Sequence, residues 1–508
     1  MNQYPRIRLG DLCEKITDGT HHSPANFPQG AFKYITAKNI KPWGLDLTDL
    51  TYVDEETHRE IFARCDVKRG DILYIKDGAT TGVAAINPLD EEFSLLSSVG
   101  VLRPGKAVRS KYLLYALQDP ETKAKMLDGV AGVAITRLTL RKLNDAEVPV
   151  APLAVQDRIV SKLDELLSDL DAGVAELEAA QKKLAHYRQS LLKAAVEGVL
   201  TAEWRAENTP RETGADLLQR ILTERRARWE ARQLAKFQEQ GKPPPKDWQK
   251  KYPEPVQPDT SGLPELPEGW VWASLDALID EGPQNGLYLP GDRYGCGIPI
   301  LRIDDYQIGW HRMRSELNLV DADASTIALY ALQPGDMVIN RVNSMTHLGK
   351  SLSITVTLDG VLFESNMMRL RFSSEVSLDY VSFYLGSHIG RARLTKDAKW
   401  AVNQASINQK DVRRTPIPLP PISEQVTIAT MLQAQHGAVT SQATAIKHAL
   451  QQSAAQRQNI LRAAFSGQLV PQDPDDEPAN VLLERIRAER EARGAVKKPR
   501  GRKAKEPA

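Results

Sequence analysis

The sequence predicts an α+β protein: two globular mixed α/β domains and two long helices that pair as an antiparallel coiled coil, giving the chain a pseudo-twofold repeat. The first of three observations behind this is a stretch that occurs twice, opening VPVAPLAVQDRIVSKLDELL and later IPLPPISEQVTIATMLQAQ. One constant offset carries Pro149, Pro152, Gln156, Ile159, Leu163, Arg188, Leu192, Gly198 and Leu200 onto Pro418, Pro421, Gln425, Ile428, Leu432, Arg457, Leu461, Gly467 and Leu469. A helix packed along a partner cannot gain a residue without turning every later side chain by about 100°, so an uninterrupted register marks a rigid rod. The second observation is a 3.5-residue apolar period inside each copy. The third is a proline-rich stretch, after which the landmarks of the first half return.

Taken in order, residues 1–148 form the first globular domain. Short β-rich runs (KYITAKNI, GDILYIKDGATTGVAAI, SSVGVLRPG) precede a helical SKYLLYALQDPETKAKML,. GDILYIKDG reads as a buried strand reached through a tight Gly70-Asp71 turn.

Residues 149–240 form the first helical region. Prolines fix an extended lead-in and Gly198 stands where a C-terminal cap belongs,. The seam runs through Leu163, Leu167, Leu170, Val174, Leu177, Leu184 and Leu191, with Gln181 and Arg188 interrupting it,. A further helix, DLLQRILTERRARWEARQLAKFQ, carries an apolar stripe of Leu217, Leu218, Ile221, Leu222 and Trp229 that predicts packing on the rod,. Residues 241–268 hold Pro243, Pro244, Pro245, Pro253, Pro255 and Pro258 and read as a linker,.

Residues 269–417 form the second globular domain. In it GIPILRIDDYQIG replaces FKYITAKNIKPWG, and PGDMVINRVNSMTHLGKSLSI replaces RGDILYIKDGATTGVAAI. Residues 418–494 are the second helical region, with the seam at Leu432, Val439, Ile446, Leu450 and Ile460 and with His436, Ser453 and Arg457 also in phase. VLLERIRAEREARG near its end matches DLLQRILTERRAR. Residues 495–508 are a basic tail without a hydrophobic face, expected to be disordered,.

Composition sets mild limits. The chain has 508 residues and a net charge of +1, so any nucleic-acid contact must come from local basic surface,. There is no apolar run of membrane-spanning length and no signal-peptide pattern, which makes a cytoplasmic location the expectation. Cys13, Cys65 and Cys296 are too few and too scattered for a disulfide framework or a zinc site,. Gly349-Lys350-Ser351 lacks the upstream glycine of a phosphate loop and lies between strands. No cofactor loop, nucleophile elbow or zinc-spaced histidine pair occurs, and His21 and His22 are adjacent,. The chain therefore reads as one without its own catalytic site.

What the sequence does offer is polar turns with donor and acceptor pairs suited to base edges. In the first domain these are Thr20, His21, His22 and Ser23, then Lys38 and Asn39, then Lys76, Thr80 and Thr81, then Thr136 and Arg137. In the second they are Asn285 and Tyr288, Arg302, Arg341, Asn343 and Ser344, and Lys399, Asn403, Gln404 and Ser406. Arg391, Arg393, Lys396, Arg413 and Arg414 flank the last group as candidates for phosphate contact,.

Two diverged globular domains, each followed by a helix with an IPLPPISEQ-type lead-in and a SLLKAAVEGVL or NILRAAFSGQL exit, resemble the specificity subunit of a type I restriction–modification system. The resemblance covers essentially the whole chain; Ala154 and Val155 depart from it, where the second copy has Ser423 and Glu424. It implies that the globular parts are target recognition domains, each reading half of a bipartite double-stranded DNA sequence. It implies further that the helices dock two methyltransferase subunits, with restriction/translocase subunits completing the assembly. S-adenosylmethionine, ATP and Mg are then expected on those partners, with no cofactor held by this chain. A rod of about 45 residues would span roughly 65–70 Å, enough to set an unread gap between half-sites. The alternatives are a free-standing two-domain DNA-binding regulator and a coiled-coil scaffold that does not bind DNA.

Overall fold

The structure is a computed structural model, and it describes residues 4–128, 137–307, 310–401, 404–471 and 473–496. The chain divides into two compact units, Met1–Ala179 with Ile446–Ala508, and Ala180–Ala445. Each unit holds one globular domain, the first half of one long helix and the second half of the other.

The two long helices run Leu153–Val196 and Ile422–Phe465, 44 residues each, and their ends fall on corresponding positions of the repeat. Both stop for the same reason. Gly198 (φ 72°) and Gly467 (φ 82°) take the left-handed conformation, and the amides of Leu200 and Gln468 turn back to the carbonyls of Ala194 and Ala463,. The helix lead-in is also built on one plan, with one bond more in the first copy. Gln156 donates to the carbonyls of Ala107 (3.0 Å) and Ala151 (2.7 Å) and accepts from the Arg109 amide. Gln425 donates to Pro420 (2.9 Å) and accepts from the Ser377 amide. Tyr112 and Tyr380 donate to the carbonyls of Pro149 and Pro418. Thus the Pro-x-x-Pro lead-in and its glutamine weld each rod to its domain.

The first domain is a four-stranded antiparallel sheet in the order Cys13–Asp18, Val99–Pro104, Ile72–Ile75, Ala84–Ile86, beside a three-stranded sheet of Thr51–Val53, Phe32–Ile35 and Ser94–Leu95. The second domain repeats this with Ile279–Asn285, Met367–Phe372, Asp336–Asn340, Ser351–Ser353, and with Asn318–Val320, Tyr294–Leu301, Leu362–Phe363. Gly70 and Gly335 open the central strands at φ 85° and 92°. Each following aspartate, Asp71 or Asp336, then binds an arginine through both carboxylate oxygens: Arg103 at 3.0 and 2.9 Å, Arg371 at 2.7 and 3.1 Å,.

Local chemistry breaks the run SKYLLYALQDPETKAKML, which the pattern predicts as a single helix, and also its counterpart in the second domain. Asp119 caps a new helix with Pro120 at its first position, splitting Ser110–Gln118 from Pro120–Leu127,. Ser387 does the same between Leu378–Gly386 and His388–Leu394,.

Each core runs from domain into rod. In the first unit Tyr112, Leu113, Leu117 and Val148 pack with Ile159, Leu163, Leu167, Leu461, Ala464, Phe465, Leu482 and Ile486. In the second, Tyr380, Tyr384, Ile417 and Leu419 pack with Leu192, Ala195, Leu217, Ile221, Ile428 and Leu432. The outer seam positions therefore belong to domain cores as well as to the helix pair. Leu170, Val174, Leu177, Leu184, Leu191, Ile446, Leu450 and Ile460 are half-buried. Val439 is buried, whereas Gln181 is exposed.

The helix Gly214–Glu239 packs Leu217 and Ile221 beside Leu275 and Leu278 of the second domain as well as Leu192 of the rod. The proline-rich stretch folds back on it. Trp248 stacks on Trp229 with ring centroids 5.7 Å apart, and Tyr252 meets the same ring edge-on,. The helix Ala479–Val496 uses Leu482 and Ile486 as its counterpart in the first unit.

Candidate nucleic-acid interface

The polar turns chosen from the sequence come from four separated segments in each domain, and the fold joins three of the four in the same way twice. In the first domain Thr20 bridges Leu96 in parallel register, and its carbonyl accepts from the Ser97 amide at 2.8 Å. Lys76 donates its amide to Ser98, while its carbonyl accepts from Leu138 and Asp77 bridges Arg137. In the second domain Leu287 bridges Glu364, Arg341 donates its amide to Asn366 at 2.8 Å, and the Arg341 carbonyl accepts from Ile407 at 2.9 Å. Both domains thus gather the loop after the first sheet strand, the turn after the central strand, and the segment before the last short helix.

A glycine makes each junction possible. A Cβ on Gly19 would lie 1.9 Å from the Leu95 carbonyl oxygen, and one on Gly286 would lie 2.1 Å from that of Glu364. The Asp-Gly and Asn-Gly pairs that begin these loops are therefore requirements of close backbone approach.

In the first cluster Asp18 is the hub. Its buried carboxylate accepts from Arg64 Nη2 at 2.7 Å and lies 3.4 Å from Lys76 Nζ and 3.5 Å from His21 Nε2. Lys76 also reaches Asp77 at 3.0 Å, and Asp77 lies 3.6 Å from Arg137. Arg64 Nη2 is 2.7 Å from His21 Nε2. His21, His22, Thr80 and Arg137 are exposed and Thr20 is half-buried.

Three sequence candidates in this domain are corrected. Lys76 is 2 % exposed and held by two carboxylates, so it is the structural cation of the cluster and cannot reach a base edge. Asn39 is buried, accepting from the Thr36 amide and donating to the carbonyls of Asp46 and Asp49. Thr81 is buried and donates to Gly78 within its own turn. Lys38 is exposed but leans on Asp49 at 3.0 Å. Thr136 lies outside the described residues.

The second cluster has a different surface. Val342–Asn343, Gln404–Ser406 and Lys399–Ala401 form a three-stranded sheet, where the sequence suggested one polar turn. It sets Asn343 opposite Ala405 and Lys399 opposite Ser406, and exposes Lys399, Trp400 and Gln404. Asn403 lies outside the described residues. Tyr288 is 80 % exposed and Asn285 is exposed beside it in the chain.

Elsewhere in this domain, Arg302 donates to Glu364 at 3.3 Å; burial works against its charge, but Glu364, Tyr294 and Asp305 together offset burial and raise its pKa. Arg341 is tied to the Ser365 carbonyl, and the Asn343 side chain accepts from the Ser344 amide. Lys350 donates to the carbonyls of Ile303 and Tyr306, and burial pushes its ammonium pKa down. Of the flanking cations, Arg391 is committed to the carbonyls of Leu348 and Met345, Arg393 to Gly262, and Arg413 to Asp276 and Gly282. These three staple the domain, which corrects their reading as phosphate contacts. Arg414 lies 3.8 Å from Asp397 and Lys396 3.6 Å from Asp259.

Sequence reasoning missed Asp18, Arg64, Asp77 and Trp400. Trp400 next to Lys399, Asp77 next to Lys76 and Asp18 just before Thr20 had a local signal, whereas Arg64 had none. Among the described residues no three His, Cys, Asp or Glu side chains gather in a way that could hold a metal ion, and no helix is long and apolar enough to cross a membrane.

Comparison with known proteins places this arrangement. The sequence model described as "Type I restriction modification DNA specificity domain" matches residues 2–179 and 323–452. The type I restriction enzyme EcoKI specificity subunit of Escherichia coli K12 is 25% identical over 479 residues, which covers 92% of this chain and 90% of that protein. The StySPI specificity subunit of Salmonella potsdam matches at the same identity and the same coverage. A chain from a structural study of complex assembly and conformational transition in a type I system superposes with a TM-score of 0.59 at 17% identity, covering 92% of this chain and 98% of its own.

Proposed function

The chain belongs to the type I restriction modification DNA specificity family, and from that membership we propose that it is the DNA-recognition subunit of such a system. On this reading each globular domain is a target recognition domain, and each presents its three-segment cluster to one half of a bipartite double-stranded target. The observation that carries the proposal is the repeated lacing of three polar segments, at Thr20/Lys76/Arg137 and at Leu287/Arg341/Ser406, on cores whose surfaces differ. A shared scaffold with unlike surfaces is what two readers of unlike sequences require.

Catalysis falls to partners. The rods and the helical segments beside them offer docking surface for two methyltransferase subunits, which would carry S-adenosylmethionine, and for restriction/translocase subunits, which would use ATP and Mg. This chain would direct adenine methylation or cleavage without performing either.

The experiment is single-molecule sequencing of DNA from cells co-expressing this chain with its methyltransferase subunit. The expected result is modified adenine at two short half-sites separated by a fixed gap. A continuous motif would overturn the two-reader arrangement. Salt-insensitive or absent DNA binding by the purified complex would favour the scaffold alternative.

A further inference from the structure

The fourth polar segment of the second domain is tied to the three-segment cluster by a side chain. Arg302 follows the strand Tyr294–Leu301, and its Nε donates to Glu364 Oε2 at 3.3 Å. Glu364 is the residue that bridges Leu287, in the loop that carries the exposed Asn285 and Tyr288. Its carboxylate is fixed, since its side chain is only 10 % exposed and its other oxygen accepts from the Ile303 amide at 2.7 Å. The Arg302 side chain is 42 % exposed, and among the described residues its Nη1 and Nη2 make no hydrogen bond.

A guanidinium presents parallel donors along two edges, Nε with one Nη and the pair of Nη atoms. Glu364 takes Nε and leaves the Nη1–Nη2 edge whole, so Arg302 is anchored with a complete fork to give. The first domain shows that the shared scaffold does not need this ion pair. Ile35 lies parallel to Leu95 as Leu301 lies parallel to Phe363, and Thr20 bridges Leu96 as Leu287 bridges Glu364. Thr36 and Leu96 therefore hold the places of Arg302 and Glu364, and the same lacing forms around two uncharged residues. The carboxylate also selects the ligand. Beside Glu364 a phosphate would be repelled, whereas a neutral base edge with two acceptors would not.

We propose that Arg302 is a specificity-determining residue of the second domain, donating from Nη1 and Nη2 to the O6 and N7 acceptors of a guanine in the major groove, and that Glu364 is its positioning residue. This rests on the DNA-recognition reading above.

The test compares the methylation motif of cells expressing the methyltransferase subunit with the wild-type chain, Arg302→Gln, Arg302→Lys or Glu364→Gln. With Arg302→Gln, one G·C position in one half-site is expected to become degenerate, its discrimination falling about 10–100-fold, while the other half-site stays stringent and reports an intact fold. Arg302→Lys keeps the charge but loses the fork, and is expected to relax the same position. Glu364→Gln, which leaves a single oxygen for two donors, is expected to relax that position less and no other position. If these variants abolish methylation, the double variant Arg302→Thr with Glu364→Leu decides, because it installs the pair on which the first domain builds the same scaffold. It is expected to methylate with the one position relaxed; a wild-type motif or no methylation from it overturns the proposal. The proposal is also overturned if both Arg302 variants keep the wild-type motif, if they lower methylation evenly at all sites as loss of a phosphate contact would, or if neither wild-type half-site contains a G·C pair. If the wild-type chain itself yields no split motif, the DNA-recognition reading fails first, and the two failures are distinguishable.

Discussion

Trp270 donates its indole N–H to Glu424 at 2.8 Å in the core of the second unit, where the first copy of the repeat has Val155. Glu424 is wholly buried and also accepts from Thr201 at 2.6 Å and from Arg205. The equivalent Val155 lies in an apolar cluster that includes Tyr4. One position of one repeat is thus a carboxylate in a polar socket in one unit and a hydrocarbon in the other, and each is consistent with its neighbours.

That relationship predicts asymmetric tolerance. Glu424→Ala is expected to destabilise the second unit by about 3–5 kcal/mol, because Trp270, Thr201 and Arg205 lose their acceptor in a buried site. Glu424→Val should not recover that loss, although valine is native to the first copy. Urea denaturation of the purified chain, followed by tryptophan fluorescence, measures both.

The glycines at the loop junctions give a second prediction. Gly286→Ala must displace the Glu364 carbonyl or the loop itself, at a cost of roughly 1–3 kcal/mol. Recognition of one half-site should then weaken while the other is kept. Gly19→Ala should do the same to the opposite half-site, and sequencing of methylated DNA reads both.

The helix lead-ins give a third. Replacing Gln156 or Gln425 with Ala leaves buried carbonyl and amide groups unpaired and should cost about 1–3 kcal/mol. Hydrogen exchange should locate the loss at the junction of rod and domain in the altered unit. By contrast, Asp171→Ala removes an exposed ion pair with Arg457 and should change stability by less than about 1 kcal/mol.

A fourth concerns pH. His436 faces Arg188 and Phe383, and burial first, then the Arg188 charge, lowers its pKa below 6.5. The unfolded chain therefore binds the proton more readily than the folded one. This contribution to stability is fully present above pH 6.5 and is lost as pH falls through 6.5 toward the folded value. The corresponding residue of the first copy is Leu167. His436→Leu should accordingly flatten the decline in Tm between pH 7 and pH 5 in thermal melts.

Rod length gives the last. Removing one heptad from both long helices shortens each by about 10 Å and is expected to shorten the gap in the methylated motif or abolish methylation. An unchanged motif would count against rod length as the ruler.

The sequence by itself determined the repeat, the α+β class, the rods with their glycine stops, and the segments from which the two clusters are built. These are periodic or local signals: a 3.5-residue stripe, a capping glycine, a turn before a strand. Only the tertiary structure decided which polar residues are free to meet a ligand. Lys76, Asn39 and Thr81 look in sequence like His22, Thr80 and Arg137, yet the first three are buried and bonded and the last three are exposed. Arg64 had no signal at all, because its partner Asp18 lies far off in the chain on a different element. A side chain's availability depends on what packs against it across the fold, and that is fixed by long-range contacts which composition and spacing do not encode.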